Sequence, residues 1–107
     1  MNTSIAKARQ NRSSFDPLTR FQALDTLLAA CRAGQIACQP PNDKLNLHCH
    51  TFFSYNGYGH SPCSLAWLAR EMGWYAIGMV DFDVPDAVEE GLEVCDRVQR
   101  RGIAGML

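Results

Sequence analysis

Two histidines separated by one residue, His48 and His50, end a short apolar segment that begins at Leu45. Successive side chains of a β-strand point to opposite faces. Both imidazoles are therefore expected on one face, about 7 Å apart along the strand, with Cys49 on the other. Imidazole is a common metal ligand near neutral pH. The spacing favours a metal site where this strand ends, although two polar residues at the start of a loop would give the same pattern.

An acidic pair, Asp81 and Asp83, follows a second apolar run, Trp74 to Val80. Such a run is typical of a strand buried on both faces of a parallel sheet. In α/β folds the functional residues lie at the carboxyl ends of parallel strands. We therefore expect the histidines and aspartates to meet at one edge of the sheet. Two imidazoles with carboxylates suit zinc, manganese or iron. Asp83 could instead cap the next helix, and Asp81 could bond only backbone amides.

The loop after His50 carries a possible third imidazole, His60, which could equally be a solvated residue just ahead of a helix cap. Its Gly57-Tyr58-Gly59 turn is typical of phosphate-cradling loops. However, Pro62 occupies the place of the third glycine in the dinucleotide motif. A small nucleotide-binding domain is therefore the weakest interpretation, and no cofactor-binding residue is assigned.

Helix-capping patterns and apolar spacing predict the elements that would position these groups. Asp-Pro and Ser-Pro pairs start the first two helices, and glycines end them. The predicted elements are a frayed tail over Met1–Ser14, a helix from Asp16 to Gly34, a strand over about Lys44–Cys49, a helix from Ser61 to Gly73, a strand over Trp74–Val80, a helix over about Pro85–Arg101 and a strand over Ile103–Leu107. Alternating strands and helices predict parallel strands with right-handed crossovers.

Length and composition narrow the class of protein. A chain of 107 residues holds one domain at most. Its net charge of −1 argues against a nucleic-acid binder, and no apolar run approaches the roughly 20 residues of a membrane span. Five widely spaced cysteines fit neither a disulfide framework nor a zinc ribbon. Reduced thiols in a cytoplasmic protein are the expected state.

The ordered motifs from about Leu45 to Leu107 resemble the polymerase and histidinol phosphatase (PHP) family. That family opens with a strand ending in His-x-His-Thr, matched here by residues 48–51. Its next motif, an apolar strand ending in Thr-Asp-His-Asp, is matched by Val80-Asp81-Phe82-Asp83. The Ser61-Pro62 helix start and the Arg101-Gly102-Ile103 segment also look like the family.

The resemblance implies a distorted seven-stranded TIM-like barrel of βα units with two or three metal ions at the strand ends. On this interpretation residues 1–43 are a tail, helix and linker, and residues 44–107 are the truncated start of a PHP domain. The implied function is metal-dependent hydrolysis of a small phosphorylated substrate, with the remainder of the barrel needed for activity. The expected metal ligands are His48, His50, Asp81 and Asp83.

The chain departs from the family at several ligand positions. The first-loop ligand has become Tyr55 or Asn56, and the histidine of the second motif is Phe82, which cannot bind a metal. A family glutamate would fall at or beyond Leu107. Asn56 or His60 could therefore be recruited as an additional ligand. Alternatively, the protein is a degenerate, non-catalytic PHP-like module with a partial metal site, and no catalytic residue is assigned.

Overall fold

The structure is a computed structural model that describes residues 3–40, 42–49, 51–52, 59–81 and 85–106. Side chains are described throughout these ranges except at 45–48, 80–81, 85–87 and 101–106. The described elements, in chain order, are α1 (Thr3–Asn11), α2 (Pro17–Arg32), β1 (Leu45–Cys49), α3 (Pro62–Met72), β2 (Ala76–Asp81), α4 (Pro85–Arg97) and β3 (Arg101–Met106).

Helix α2 begins where the Asp-Pro pair predicts. The Asp16 carboxylate accepts a hydrogen bond from the Thr19 amide at 3.2 Å, and Pro17 occupies the first turn, where its missing N–H is not needed. The Thr19 hydroxyl also donates to this carboxylate, and that side-chain hydrogen bond is the main cause that lowers the pKa of Asp16 below its usual 3.8, with the amide hydrogen bond adding to it. Leu24 and Leu27 are fully buried on the inner face of this helix. The predicted helix is confirmed.

Helix α3 is also confirmed, with both ends defined by particular residues. The Ser61 hydroxyl accepts a hydrogen bond from the Ser64 amide at 3.0 Å, which caps the first turn. Gly73 ends the helix with a φ of 72°, a left-handed conformation that glycine adopts without strain. Trp67 and Ala69 are fully buried between these ends, so α3 is the central helix of the fold.

The three strands among the described residues pair in parallel in the order β1–β2–β3. Leu45 lies opposite Ala76 at the start of the first pair, and Cys49 lies opposite Met79 near its end. The register shifts between Asn46 and Cys49, so three residues of β1 span two of β2. The second pair is regular from Ala76–Arg101 to Asp81–Met106.

One apolar core joins all the layers. Leu24 and Leu27 from α2 belong to the same buried cluster as Trp67 from α3, Ile77 from β2 and Val94 from α4. Helices α3 and α4 cover the sheet, and α1 and α2 pack as a second helical layer on α3. Residues before and after position 43 therefore contribute to a single core.

The predicted fold class, a parallel βαβαβ fragment of a PHP-type TIM-like barrel preceded by one N-terminal helix, is wrong. The described residues are mostly helical. Their helices have 9, 16, 11 and 13 residues, whereas the strands have 5, 6 and 6. A barrel carries one outer ring of helices around a closed sheet. Here the described strands form a small open sheet, and the two N-terminal helices add a second helical layer that the sequence patterns did not predict.

The predicted frayed tail is wrong over residues 3–11, which form α1. The sequence of this helix lacks the long apolar stripe that signals a helix, and Ala8 is its one buried residue. Tertiary contacts hold it instead: the Arg9 guanidinium donates to the Glu71 carboxylate at 3.0 Å, and the Ser61 hydroxyl donates to the Arg12 carbonyl. These contacts anchor α1 and the turn after it to both ends of α3.

Two predicted boundaries also move. Helix α4 ends at Arg97, because Gln99 adopts a positive φ of 59° and the Arg100 amide bonds back to the Cys95 carbonyl at 3.0 Å. Gly102 is therefore a residue of β3 opposite Ile77, and is not the helix stop. Strand β2 begins at Ala76, since the Trp74 amide still bonds to the end of α3.

Candidate functional site

The backbone brings two of the predicted ligand positions to one edge of the sheet. His48 is the penultimate residue of β1, and Asp81 is the last residue of β2. The strands are parallel, and Cys49 pairs with Met79, two residues before Asp81. Both strands therefore end at the same edge, here called the strand-end edge. His50, Asn56 and Asp83 lie outside the described residues, and the description of His48 and Asp81 is limited to their backbone.

His60 is the predicted ligand whose side-chain position is described. It lies half-buried directly before the α3 cap, and its Nδ1 is 2.9 Å from the Ser64 hydroxyl oxygen. Its carbonyl accepts a hydrogen bond from the Phe52 amide at 2.7 Å, which ties His60 to the segment that continues from β1. A metal-binding histidine commonly has its second ring nitrogen fixed by such a partner. The Ser64 contact therefore leaves Nε2 as the ring nitrogen suited to an ion.

Cys49 is a poor additional ligand. Its side chain belongs to the buried core, and burial raises the pKa of its thiol. A cysteine binds a metal as the thiolate, which this environment disfavours. Within the described ranges, no group of three or more histidine, cysteine, aspartate or glutamate side chains is arranged to hold an ion.

A buried ion pair that the sequence patterns did not predict lies beside the segment that leaves this edge. Arg20 of α2 is 3% exposed, and its guanidinium makes a two-pronged contact with the Glu90 carboxylate of α4, with Nε donating at 2.9 Å. The same guanidinium donates to the Phe15 carbonyl at 3.0 Å and lies 5.2 Å from the ring centre of Phe52. Phe15 and Phe52 stack with their ring centres 5.1 Å apart.

This ion pair ties α2, α4 and the segment leaving β1 to one another. Because Arg20 is held on both sides by Glu90 and a backbone carbonyl, its role is to position these elements. The sequence did contain a signal: Arg20 stands four residues before Leu24, in phase with the apolar stripe of α2. A cation at an inward position of a helix indicates a buried acidic partner.

The described cavities lie elsewhere. A groove of about 570 Å³ runs between α1 and residues 35–37 and reaches Glu71. Glu71 is near the carboxyl end of α3, whereas His60 precedes its amino end, so this groove is separated from the strand-end edge by the length of that helix.

Comparisons of the chain with protein-family models, with curated proteins and with solved structures gave no match. Among the helices described, none combines the length and the apolar character required to cross a membrane.

Proposed function

We propose that this chain belongs to a divalent-metal-dependent phosphoesterase whose ion site is the strand-end edge. The observation that supports the proposal is the parallel pairing of β1 and β2, by which His48 and Asp81 end neighbouring strands at one edge. His50 and Asp83 are each two residues further along the sequence. The order of these motifs is the one that resembles the PHP family.

The donor set suits the ions expected for such an enzyme. Imidazole nitrogens and carboxylate oxygens together bind zinc, manganese or iron. His48, His50, Asp81 and Asp83 would hold the ion, and His60 has a ring already oriented by Ser64. A divalent ion supplies Lewis-acid stabilisation of the charge that develops on phosphate oxygens. The proposed substrate is a small phosphorylated compound, and the proposed compartment is the cytoplasm, because five cysteines without framework spacing do not form a set of permanent structural disulfides.

Phe82 favours a second candidate, a non-catalytic module that retains a partial metal site. The resembled motif has a histidine at this position, and a phenyl ring offers no ligand atom. In this alternative His48 and His50 bind an ion weakly, and the protein does not hydrolyse phosphate esters.

The test is metal binding and hydrolysis by the full chain. The barrel implied by the resemblance is not the observed fold, so the proposed activity does not depend on the remainder of that barrel. We expect the purified protein to bind zinc, manganese or iron in titration calorimetry and to hydrolyse p-nitrophenyl phosphate in the presence of the ion. Replacing both His48 and His50 by Ala should abolish binding. Asp43→Asn is the matched control, because Asp43 is exposed and lies before the opposite end of β1.

The outcomes separate the two candidates. Binding that depends on the two histidines, without hydrolysis in the parent or in Phe82→His, would favour the non-catalytic module. A parent chain that binds none of the three metals would rule out both candidates.

A further inference from the structure

Two of the five cysteines meet on the surface opposite the strand-end edge. Cys31, in the last turn of α2, has its sulfur 2.6 Å from that of Cys38, and both side chains are partly exposed. A disulfide bond is about 2.05 Å long, so the two sulfurs need to approach by only about half an ångström to form one. Cys63 and Cys95, by contrast, are buried in the core.

The chain between the two cysteines is folded back by its own hydrogen bonds. The Gln35 amide donates to the Ala30 carbonyl at 2.9 Å, and Gly34 turns the backbone with a φ of 75°. Beyond the pair, the Gln39 amide donates to the Glu71 carbonyl of α3 at 2.8 Å. The two sulfurs are therefore held together by the backbone on both sides of Cys38, independently of any bond between them.

A groove of about 430 Å³ opens on this pair, and its other walls include Arg70 and Arg100. The Arg70 guanidinium is oriented by the Val98 carbonyl, to which it donates at 3.0 Å. Arg100 has a buried Nε atom for which the described residues provide no hydrogen-bond partner. Burial and the neighbouring Arg70 lower the pKa of Arg100. Two neighbouring cations beside the thiol pair favour the binding of an anionic ligand in this groove.

We propose that Cys31 and Cys38 form a reversible disulfide by exchange with a small anionic disulfide, of the glutathione disulfide class, bound in this groove. Nothing in the proposed phosphoesterase function requires this site, so each can be tested without the other.

The exchange proceeds in two balanced steps. The Cys31 sulfur loses its proton and attacks one sulfur of the small disulfide, whose other half leaves as a thiolate and is protonated. The Cys38 sulfur then attacks Cys31, its proton passes to the second departing thiolate, and two small thiols are released. The protein pair is oxidised by two electrons, and the small disulfide is reduced by the same two.

Because the two sulfurs are in contact, either can resolve a mixed disulfide that forms on the other. Burial and the contact with Cys31 raise the pKa of Cys38, which disfavours the thiolate of Cys38.

The experiment is oxidation of the reduced full chain in glutathione buffers of increasing oxidised fraction, followed by acid quenching, alkylation and peptide mass spectrometry. We expect two of the five thiols to disappear together, with Cys31 and Cys38 recovered as one linked peptide. Cys38→Ser should accumulate a glutathione adduct on Cys31, and Cys95→Ser, the matched control at a buried thiol, should oxidise like the parent. Five free thiols under the most oxidising buffer, or pairing with another cysteine, would overturn the proposal.

The groove has its own test. Replacing Arg70 and Arg100 by Gln should slow oxidation by glutathione disulfide roughly tenfold, because the cations no longer concentrate the anion. Oxidation by neutral 2-hydroxyethyl disulfide should keep its parent rate. Equal rates of parent and variant with both oxidants would overturn the role of the groove.

Discussion

Among the described side chains, two ion pairs join helices α2 and α4, and they differ chiefly in burial. At one end Arg20 and Glu90 keep only 4% and 12% of their side-chain surface exposed. At the other end Arg97 and Asp25 keep 32% and 60%. The contacts involve the same charge types and the same helices. Burial makes the first pair obligatory, because neither charge can be left without its partner, whereas water can replace either partner of the second pair.

A similar contrast exists between the two glycines that follow α2 and α3. Gly34 and Gly73 have φ angles of 75° and 72°, so both occupy the left-handed region. A side chain at Gly34 would meet no atom within 4 Å, whereas one at Gly73 would collide with the Pro40 carbonyl. Packing at the end of α3 therefore excludes a side chain at position 73, whereas the described atoms leave room for one at position 34.

The largest effect is expected from Glu90→Gln. This change leaves the Arg20 guanidinium buried without its counter-charge, and breaking a buried pair in this way costs about 3–5 kcal/mol. Urea unfolding of the parent and variant measures the loss. Glu89→Gln is the matched control, because Glu89 is the exposed neighbour on the same helix. A loss below about 1 kcal/mol would show that the two ion pairs do not differ as their burial indicates.

The second prediction compares Gly73→Ala with Gly34→Ala. Both substitutions place a side chain at a positive φ, which costs about 1–2 kcal/mol. Gly73→Ala must also displace the Pro40 backbone, and overpacking of this kind adds about 1–3 kcal/mol. The free energy of unfolding should therefore fall clearly further for Gly73→Ala. Equal losses of unfolding free energy would mean that the Pro40 segment moves aside at little energetic cost.

Whether an element is formed by local or by distant contacts explains how much of the fold could be predicted from the sequence. The helix starts at Asp16 and Ser61 were predicted correctly because capping is a local interaction. Helix α1 was missed because Arg9 and other distant contacts stabilise it, and no apolar stripe marks it. The barrel was an expectation from the resemblance to the PHP family. It was wrong because parallel strand–helix alternation is shared by many arrangements and does not specify how many strands or helical layers follow.

The candidate site, too, was predicted where it depends on local sequence patterns and missed where it depends on tertiary contacts. Strand ends can be predicted from apolar runs, and the pairing of β1 with β2 brings the positions of His48 and Asp81 to one edge. The contact between His60 and Ser64 could not be predicted in this way, although the four-residue spacing fits one turn of helix. The Cys31–Cys38 contact was likewise missed, because it depends on how the chain folds back after α2.

The third prediction concerns pH and contrasts an interior thiol with a surface carboxyl. Burial raises the pKa of Cys63 to about 12 and that of Cys95 to about 11, from 9.0 in an exposed cysteine. Above pH 9 the unfolded chain releases these protons while the folded chain retains them, so stability is intact below pH 9 and falls as pH rises. At pH 10 each thiol should lower the free energy of unfolding by about 1 kcal/mol.

Urea midpoints between pH 7 and 10.5, measured with a reductant, test this expectation. Cys63→Ala removes one of the two thiols and should make the decline shallower than in the parent. Asp16 should behave oppositely: its lowered pKa contributes stability above pH 3.8 that is lost as the pH falls further. Identical slopes for the parent and Cys63→Ala at high pH would contradict the assignment of the effect to the buried thiol.

The smallest effect is expected from Asp25→Asn, the surface counterpart of Glu90→Gln. Arg97 keeps a second carboxylate, Glu93, at 3.1 Å and lies 4.8 Å from the ring centre of Phe21, so it retains partners when Asp25 is neutralised. Exposed pairs contribute about 0–1 kcal/mol, and we expect a loss below about 0.5 kcal/mol. Raising the salt concentration to 1 M should erase even this difference, because the surface charges are screened. A loss as large as that of Glu90→Gln, persisting in 1 M salt, would show that position along the α2–α4 interface, and not burial, determines what each ion pair contributes.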